Sequence, residues 1–298
     1  MPEMLPKPKH LGPEYASQFA DPAVVAAYHH RPPYAPAVFP WLRDLTVGEP
    51  RTVLDLGCGT GDIARPLAAV VDFVDAVDCS AAMIERGRTL PGGDRPSLRW
   101  IVGYAEDVLL PHDSYGLVTA GESLHWMDWA RLMPRLARLF APGAYLAVVE
   151  RSPEVRPAWF DEVLTLIARY STNRDYQPYS LIEELQQRGV FEQSGVNLIE
   201  AAHFEQSFDS YIESIHSRNG FSRDRMTHQA AADFDAAVRQ VLINRCPDGT
   251  VQFDVVGRII FGRPLGSQTS EVRSQTLRDF DSSQDRLRRS RWREPSDF

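Results

Sequence analysis

One stretch constrains the chain more than any other: Arg51 to Asp78, RTVLDLGCGTGDIARPLAAVVDFVDAVD. Thr52 to Leu56 is a short apolar run with β-branched residues behind Pro50, and it predicts a buried parallel strand rather than a helix. Gly57, Gly59 and Gly61 then supply a turn whose backbone can take positive φ and be approached with no Cβ in the way. Ile63, Leu67 and Val70 recur at helical spacing, which sets a helix N-terminus beside those glycines. Phe73 to Val77 is a second apolar run and stops at Asp78, 17 residues past Gly61. A doubly wound fold places there the carboxylate that accepts hydrogen bonds from ribose hydroxyls.

The alternation continues. Ser80 predicts the N-cap of a helix from Ala81 to Thr89, Leu98 to Val102 a third strand, and Tyr115 to Ala120 a fourth. Trp129 to Phe140 reads as helix and Ala144 to Val149 as a fifth strand. Strands separated by helices imply a parallel sheet with right-handed crossovers and a ligand across the carboxyl ends of its strands. A length of 298 residues suits one or two domains, and 43% hydrophobic content suffices for a buried core. The net charge of −8 argues against general affinity for nucleic acid or anionic membrane. No apolar run approaches membrane-spanning length and the N-terminus is polar and Pro-broken, so a soluble, cytoplasmic chain is expected. Three scattered cysteines, Cys58, Cys79 and Cys246, make neither a disulfide framework nor a zinc site, and there is no metal-ligand cluster.

Before the first strand, Tyr15, Phe19, Val24, Val25 and Tyr28 fall roughly on one helical face, and Ala37 to Leu45 is a second amphipathic segment. They read as cover for a sheet edge, or as a lid that brings Tyr28 or Arg31 to a ligand carboxylate. After the fifth strand, helices are expected at Pro157 to Tyr170, Leu181 to Gly189, Ser210 to Arg218 and Ala231 to Asn244. Ala201 to Phe208 alternates like a sixth strand, and Val251 to Phe261 predicts a last, antiparallel one. The tail 264–298 is rich in Ser, Gln, Asp and Arg and is expected to be disordered or loosely helical. Its basic run, Arg286 to Arg293, suits a solvated tail better than a contact with nucleic acid or a partner.

VLDLGCGTGDIARPLA, VDAVDCSAAMIERGR, GYAEDVLLPHDSYGLV and SLHWMD followed by FAPG resemble, in order, the motif series of the class I S-adenosylmethionine-dependent methyltransferases. They are most similar to the small-molecule branch with type 11 and trans-aconitate methyltransferase-like domains, over about Tyr28 to Arg151. The resemblance implies an α/β, Rossmann-like seven-stranded sheet with the last strand antiparallel, an N-terminal helical lid and a helical cap inserted after the fifth strand. The boundaries expected are 1–45 for the lid, 46–151 for the cofactor-binding core, 152–250 for the cap with the sixth strand, 251–263 for the last core strand and 264–298 for the tail.

The same resemblance implies S-adenosylmethionine as methyl donor, S-adenosylhomocysteine as product and no metal. It places the backbone at Gly57, Cys58 and Gly59 against the methionine end of the donor, with Asp55 supporting its ammonium or capping the glycine turn. Tyr28, Arg31 and Gly121 join that end, Asp78 takes the ribose, and Cys79 and Met83 line the adenine pocket. Where the family has Gly-Asp-Ala after the third strand, this chain has Gly103-Tyr104-Ala105, so the adenine contact falls to Ala105 and Glu106. His125 and Glu122 are the candidate proton acceptors, His125 being equally readable as structural, and Trp126, Tyr176 and Tyr179 are the candidate substrate contacts.

Methyl transfer is an in-line displacement by the acceptor's lone pair, so alignment and exclusion of water carry most of the catalysis. The acceptor is expected to be a small molecule methylated on O or N, and the protein a monomer or homodimer with no nucleic-acid or membrane partner. Only two of the 32 basic residues are lysines, a bias of G+C-rich genomes that suggests natural-product tailoring. RNA or protein methylation and cofactor binding without turnover are the alternatives.

Overall fold

The computed structural model describes residues 7–265. The tail expectation beyond Leu265, with Arg286 to Arg293, lies outside these residues, whereas Pro264 belongs to the last strand. Seven strands form one sheet: β1 (Thr52–Leu56), β2 (Phe73–Asp78), β3 (Leu98–Val102), β4 (Tyr115–Gly121), β5 (Phe140–Pro153), β6 (Phe191–Ser207) and β7 (Thr250–Pro264), in the order β3-β2-β1-β4-β5-β7-β6. The neighbours from β3 to β5 pair in parallel, whereas β7 runs antiparallel to both β5 and β6. The last strand is antiparallel, as the sequence led us to expect.

The helices are α1 (Pro13–Ala16), α2 (Pro22–Ala27), α3 (Val38–Leu45), α4 (Ala64–Leu67), α5 (Ala81–Thr89), α6 (Trp129–Leu139), α7 (Phe160–Tyr170), α8 (Leu181–Gln187), α9 (Phe208–His216) and α10 (His228–Arg245). Five begin with a side-chain cap, which satisfies amide groups that have no intrahelical partner. Ser80, Asp128, Ser180, Ser207 and Thr227 accept from the first-turn N–H groups of α5, α6, α8, α9 and α10. No helix among the described residues is long and apolar enough to cross a membrane.

Alternation along the strands divides the core between the two faces of the sheet. Leu54, Leu56, Val118, Ala120, Leu146 and Val148 pack with α6 and α8 on one side. Val53, Val74, Ala76, Leu117, Ala147 and Val149 pack with α3, α4 and α5 on the other. A third cluster joins Trp159, Val163, Ile167, Ile212, Ile215, Phe234, Val238 and Val251, so α7, α9 and α10 have a core of their own beside the sheet.

Four elements differ from expectation. The fifth strand, β5, runs from Phe140 to Pro153 rather than from Ala144 to Val149, so α6 ends at Leu139. The helix after the glycines is a single turn, α4, because the chain first runs through consecutive turns from Gly59 to Ile63. The N-terminal helix is broken into short pieces, with Pro13 and Pro22 each starting a new one at the first helical position, where proline is tolerated. The sixth strand begins at Phe191 rather than Ala201, its polar first half held by pairing with β7 across two register shifts. That half has little alternation to read, since Gly195 sits where a Cβ would lie 2.6 Å from the Phe261 ring.

Candidate active site

A cleft opens at the carboxyl ends of β1 and β4, lined by Tyr28, Tyr34, Asp55, Gly57, Cys58, Asp62, Ile63, Gly121 and Arg151. Its floor is the turn after β1, where Gly57 and Gly59 have φ of 63° and 54°, in the left-handed region that glycine occupies without strain. The surroundings also demand glycine. A Cβ on Gly57 would lie 2.6 Å from that of Ser123, and one on Gly121 would lie 2.7 Å from the Tyr34 hydroxyl. Ser123 closes the floor by donating from its hydroxyl to the Leu56 carbonyl at 2.6 Å.

Two acids brace this turn in different ways. Asp78 accepts from the Gly59 N–H at 2.8 Å with one oxygen and from the Ser80 N–H at 2.8 Å with the other. It therefore ties the glycine turn to the start of α5, and burial raises its pKa above the ordinary value. Asp55, 1% exposed, accepts from the Thr119 hydroxyl at 2.7 Å through Oδ1, while its Oδ2 is buried with no hydrogen-bond partner. Burial, and then the nearby Asp78 charge, push its pKa up to about 7. A buried oxygen of this kind is costly unless a donor or cation reaches it.

The upper wall is cationic. Arg151, on β5, donates to the Pro32 carbonyl, lies 3.5 Å from Glu122 and 3.7 Å from Asp62, and stacks its guanidinium 4.4 Å from the Tyr34 ring centroid. Arg31 lies over the Tyr28 ring at 4.3 Å and reaches Glu122 at 4.0 Å. Its Nε and Nη2 donate to the hydroxyl and carbonyl of Ser217 at 2.9 and 2.7 Å. Glu122 itself has φ of 48°, a strained conformation for a residue with a Cβ, directly after β4.

Of the residues singled out from sequence, Tyr28, Asp55, Gly57, Cys58 and Gly121 line the cleft, Arg31 and Glu122 touch its lining, and Gly59 and Asp78 brace the turn next to it. Cys79 is exposed and Met83 is buried at the start of α5. Burial raises the Cys58 thiol well above its ordinary value and lifts Cys79 to about 11, so neither is a thiolate nucleophile at neutral pH. Ala105 is buried, Tyr104 points outward at 66% exposure, and the Glu106 carboxylate accepts from the Asp128 N–H at 2.7 Å. His125 is buried with its ring 4.7 Å from that of Trp126, which in turn meets Phe19 of the N-terminal segment at 5.4 Å. Tyr176 and Tyr179 are not in the cleft lining and pack their rings on His10.

Sequence reasoning missed Tyr34, Asp62, Ile63 and Arg151 as lining residues. Arg151 was findable: it stands toward the carboxyl end of a strand beside Glu150, where open α/β sheets bind ligands. Among the described residues no group of three His, Cys, Asp or Glu could hold a metal ion.

The chain is similar to known methyltransferases. A family profile described as a methyltransferase domain matches residues 53–143. An uncharacterized methyltransferase of Mycobacterium tuberculosis is 33% identical over 148 residues, 49% of this chain and 58% of its own length. An uncharacterized methyltransferase of Schizosaccharomyces pombe is 25% identical over 195 residues, 64% of this chain and 74% of its own. The solved structure of a protein provisionally described as a type II methyltransferase, from Anaeromyxobacter dehalogenans, is 25% identical with a TM-score of 0.56, covering 79% of this chain and 99% of that one. The match to the mycobacterial relative thus spans little more than half of that protein. These findings place a methyltransferase domain at residues 53–143, on a fold similar to that of the Anaeromyxobacter protein.

Proposed function

We propose that the protein transfers a methyl group from S-adenosylmethionine to a small-molecule acceptor. One observation carries this reading: the partnerless Oδ2 of Asp55, buried beneath a glycine turn that leaves its backbone open to a ligand. A ligand ammonium group supplies the cation that this oxygen lacks. Arg31 and Tyr28 suit the carboxylate of the same amino-acid moiety, beside the backbone of Gly57, Cys58, Gly59 and Gly121. Asp78, whose oxygens retain lone pairs beyond their two backbone contacts, suits ribose hydroxyls. Cys79, Met83, Ala105 and Glu106 lie along the adjoining strand ends for the adenine.

S-adenosylmethionine supplies an activated methyl on a sulfonium that leaves as a neutral thioether. The protein's share is orientation and exclusion of water. The glycine turn and Asp55 fix one end of the donor, and the N-terminal segment contributes Tyr28 and Tyr34 to the cleft. Where the acceptor must lose a proton, His125 and Glu122 are the two candidates, and Glu122 already faces two guanidinium groups. The acidic net charge favours a small acceptor over RNA. Calorimetry with S-adenosylhomocysteine should give a single site, and incubation with S-adenosylmethionine and a metabolite panel should release S-adenosylhomocysteine. Binding without release against every acceptor would leave a cofactor-binding protein instead.

A further inference from the structure

The cluster above the cleft contains one cation with nothing to hold. Arg31, Arg151 and Arg218 lie around Glu122, with Asp62 as the second acid. Arg151 is engaged by Asp62, Glu122 and the Pro32 carbonyl, and Arg31 by Ser217 and Glu122. Arg218 differs. It is half-buried just after α9, its Nε is buried without a hydrogen-bond partner, and its guanidinium has no hydrogen bond or ion pair to any described residue. Burial, reinforced by the positive charge of Arg31, lowers its pKa to about 10. A guanidinium in such a place carries five donors and a full charge, and its desolvation is offset when an oxyanion docks on it.

The position of Arg218 decides which anion. The residues that line the glycine-turn cleft include Tyr28 and Arg151 but not Arg218. It belongs to the insertion after β5, and its neighbour Ser217 is the residue that Arg31 grips. It therefore lies within electrostatic reach of Glu122 and Arg31 and is not among the residues of the pocket floor that suits the donor's amino-acid end. Resting on the methyl-transfer reading, we infer that Arg218 binds an anionic oxygen group, carboxylate or phosphate, of the methyl acceptor. The acceptor is then a small organic anion, held by its charge at the cap while its reactive atom faces the donor. Arg218 is a specificity residue in this scheme; it moves no proton.

The test uses the full-length protein saturated with S-adenosylhomocysteine, titrated by NMR or calorimetry with benzoate, phenyl phosphate and neutral benzamide. Benzoate or phenyl phosphate should bind the wild type and bind Arg218→Gln about tenfold or more weakly, as expected for one charge-assisted contact. Arg218→Lys should recover part of the loss. Benzamide should not separate the proteins, and S-adenosylhomocysteine affinity should stay within about twofold, since the contact lies outside the donor site. The ratio of the benzoate and phenyl phosphate losses tells which oxyanion fits. Equal anion affinity in wild type, Arg218→Gln and Arg218→Lys overturns the inference, as does a fall in S-adenosylhomocysteine affinity that matches the anion loss. If the wild type fails to bind S-adenosylhomocysteine at all, the methyl-donor reading fails, and phenyl phosphate binding that depends on Arg218 would still be read separately.

Discussion

Two regions meet at the cleft and are built from different materials. The floor, from β1 through the glycine turn to Asp78, is held by backbone hydrogen bonds and apolar burial between residues about twenty apart: Cys58 N–H to the Val77 carbonyl, Gly59 N–H to Asp78. The walls are a clasp of polar side chains between the N-terminal segment and the insertion after β5. Asp21 meets Arg225 at 2.6 Å and Ser222 at 2.7 Å, Gln18 accepts from the Gly220 N–H, Tyr15 and Lys9 meet Asp175, and Arg31 holds Ser217. Several of these pairs are exposed, and exposed ion pairs contribute little each. The floor is thus rigid and preorganised, whereas the walls are assembled from contacts weak enough to open for ligand exchange.

That contrast can be broken in graded steps. Asp55→Ala should weaken S-adenosylhomocysteine binding by about a hundredfold or more, the cost of removing the charged partner of an ammonium in a dry site. It should do so without lowering the thermal midpoint, because the native carboxylate is itself poorly satisfied. A destabilised variant with intact affinity would mean that Asp55 serves only the turn. Arg151→Met leaves Glu122 and Asp62 without their shared guanidinium and should cost about 2–3 kcal/mol in urea unfolding. Gly57→Ala should cost about 2 kcal/mol, from the positive φ and the clash with Ser123, and should weaken donor binding as well.

pH offers a finer probe. Burial holds the Asp55 carboxyl at about 7 in the folded chain against an ordinary 3.8. Between these values the folded state keeps a proton that the unfolded state has lost, so this group's contribution to stability is fullest at low pH and fades as pH rises to 7. Donor affinity should run the other way, about tenfold higher at pH 8 than at pH 6, because the ammonium needs the ionised acid. Asp55→Asn should flatten that profile; a profile that survives the substitution points to another group. The smallest effect belongs to the clasp. Arg225→Ala should cost at most about 1 kcal/mol globally, yet it should raise the rate at which a protease nicks the first thirty residues. An unchanged nicking rate would show that the walls do not open there.

What could be read from sequence follows the same division. β1, α5 and β3 have the residues expected of them, because apolar runs between caps and glycines are local signals. The glycine turn, Asp55 and Asp78 were legible for that reason. Arg151 meeting Tyr34, or Arg31 meeting Ser217, joins residues whose proximity only the tertiary fold creates, and no spacing announces it. The first half of β6 was missed because its strand character comes from pairing with β7 and not from its own pattern. Tyr176 and Tyr179 were named for their aromatic, polar setting, and the structure puts them on His10.

The clasp also has a consequence for how the chain is made. Its contacts join positions 160 to 204 residues apart, such as Tyr15 with Asp175 and Asp21 with Arg225. Contacts of such separation close large loops and carry the entropic cost of doing so before they return any stabilisation. The β1–β2 unit can condense while the C-terminal half is still being synthesised, but the clasp on the N-terminal segment is not complete until residue 225 has left the ribosome. A nascent chain therefore acquires its nucleotide-like pocket floor early and its walls later, and becomes competent to exclude water only after the insertion that follows β5 has emerged.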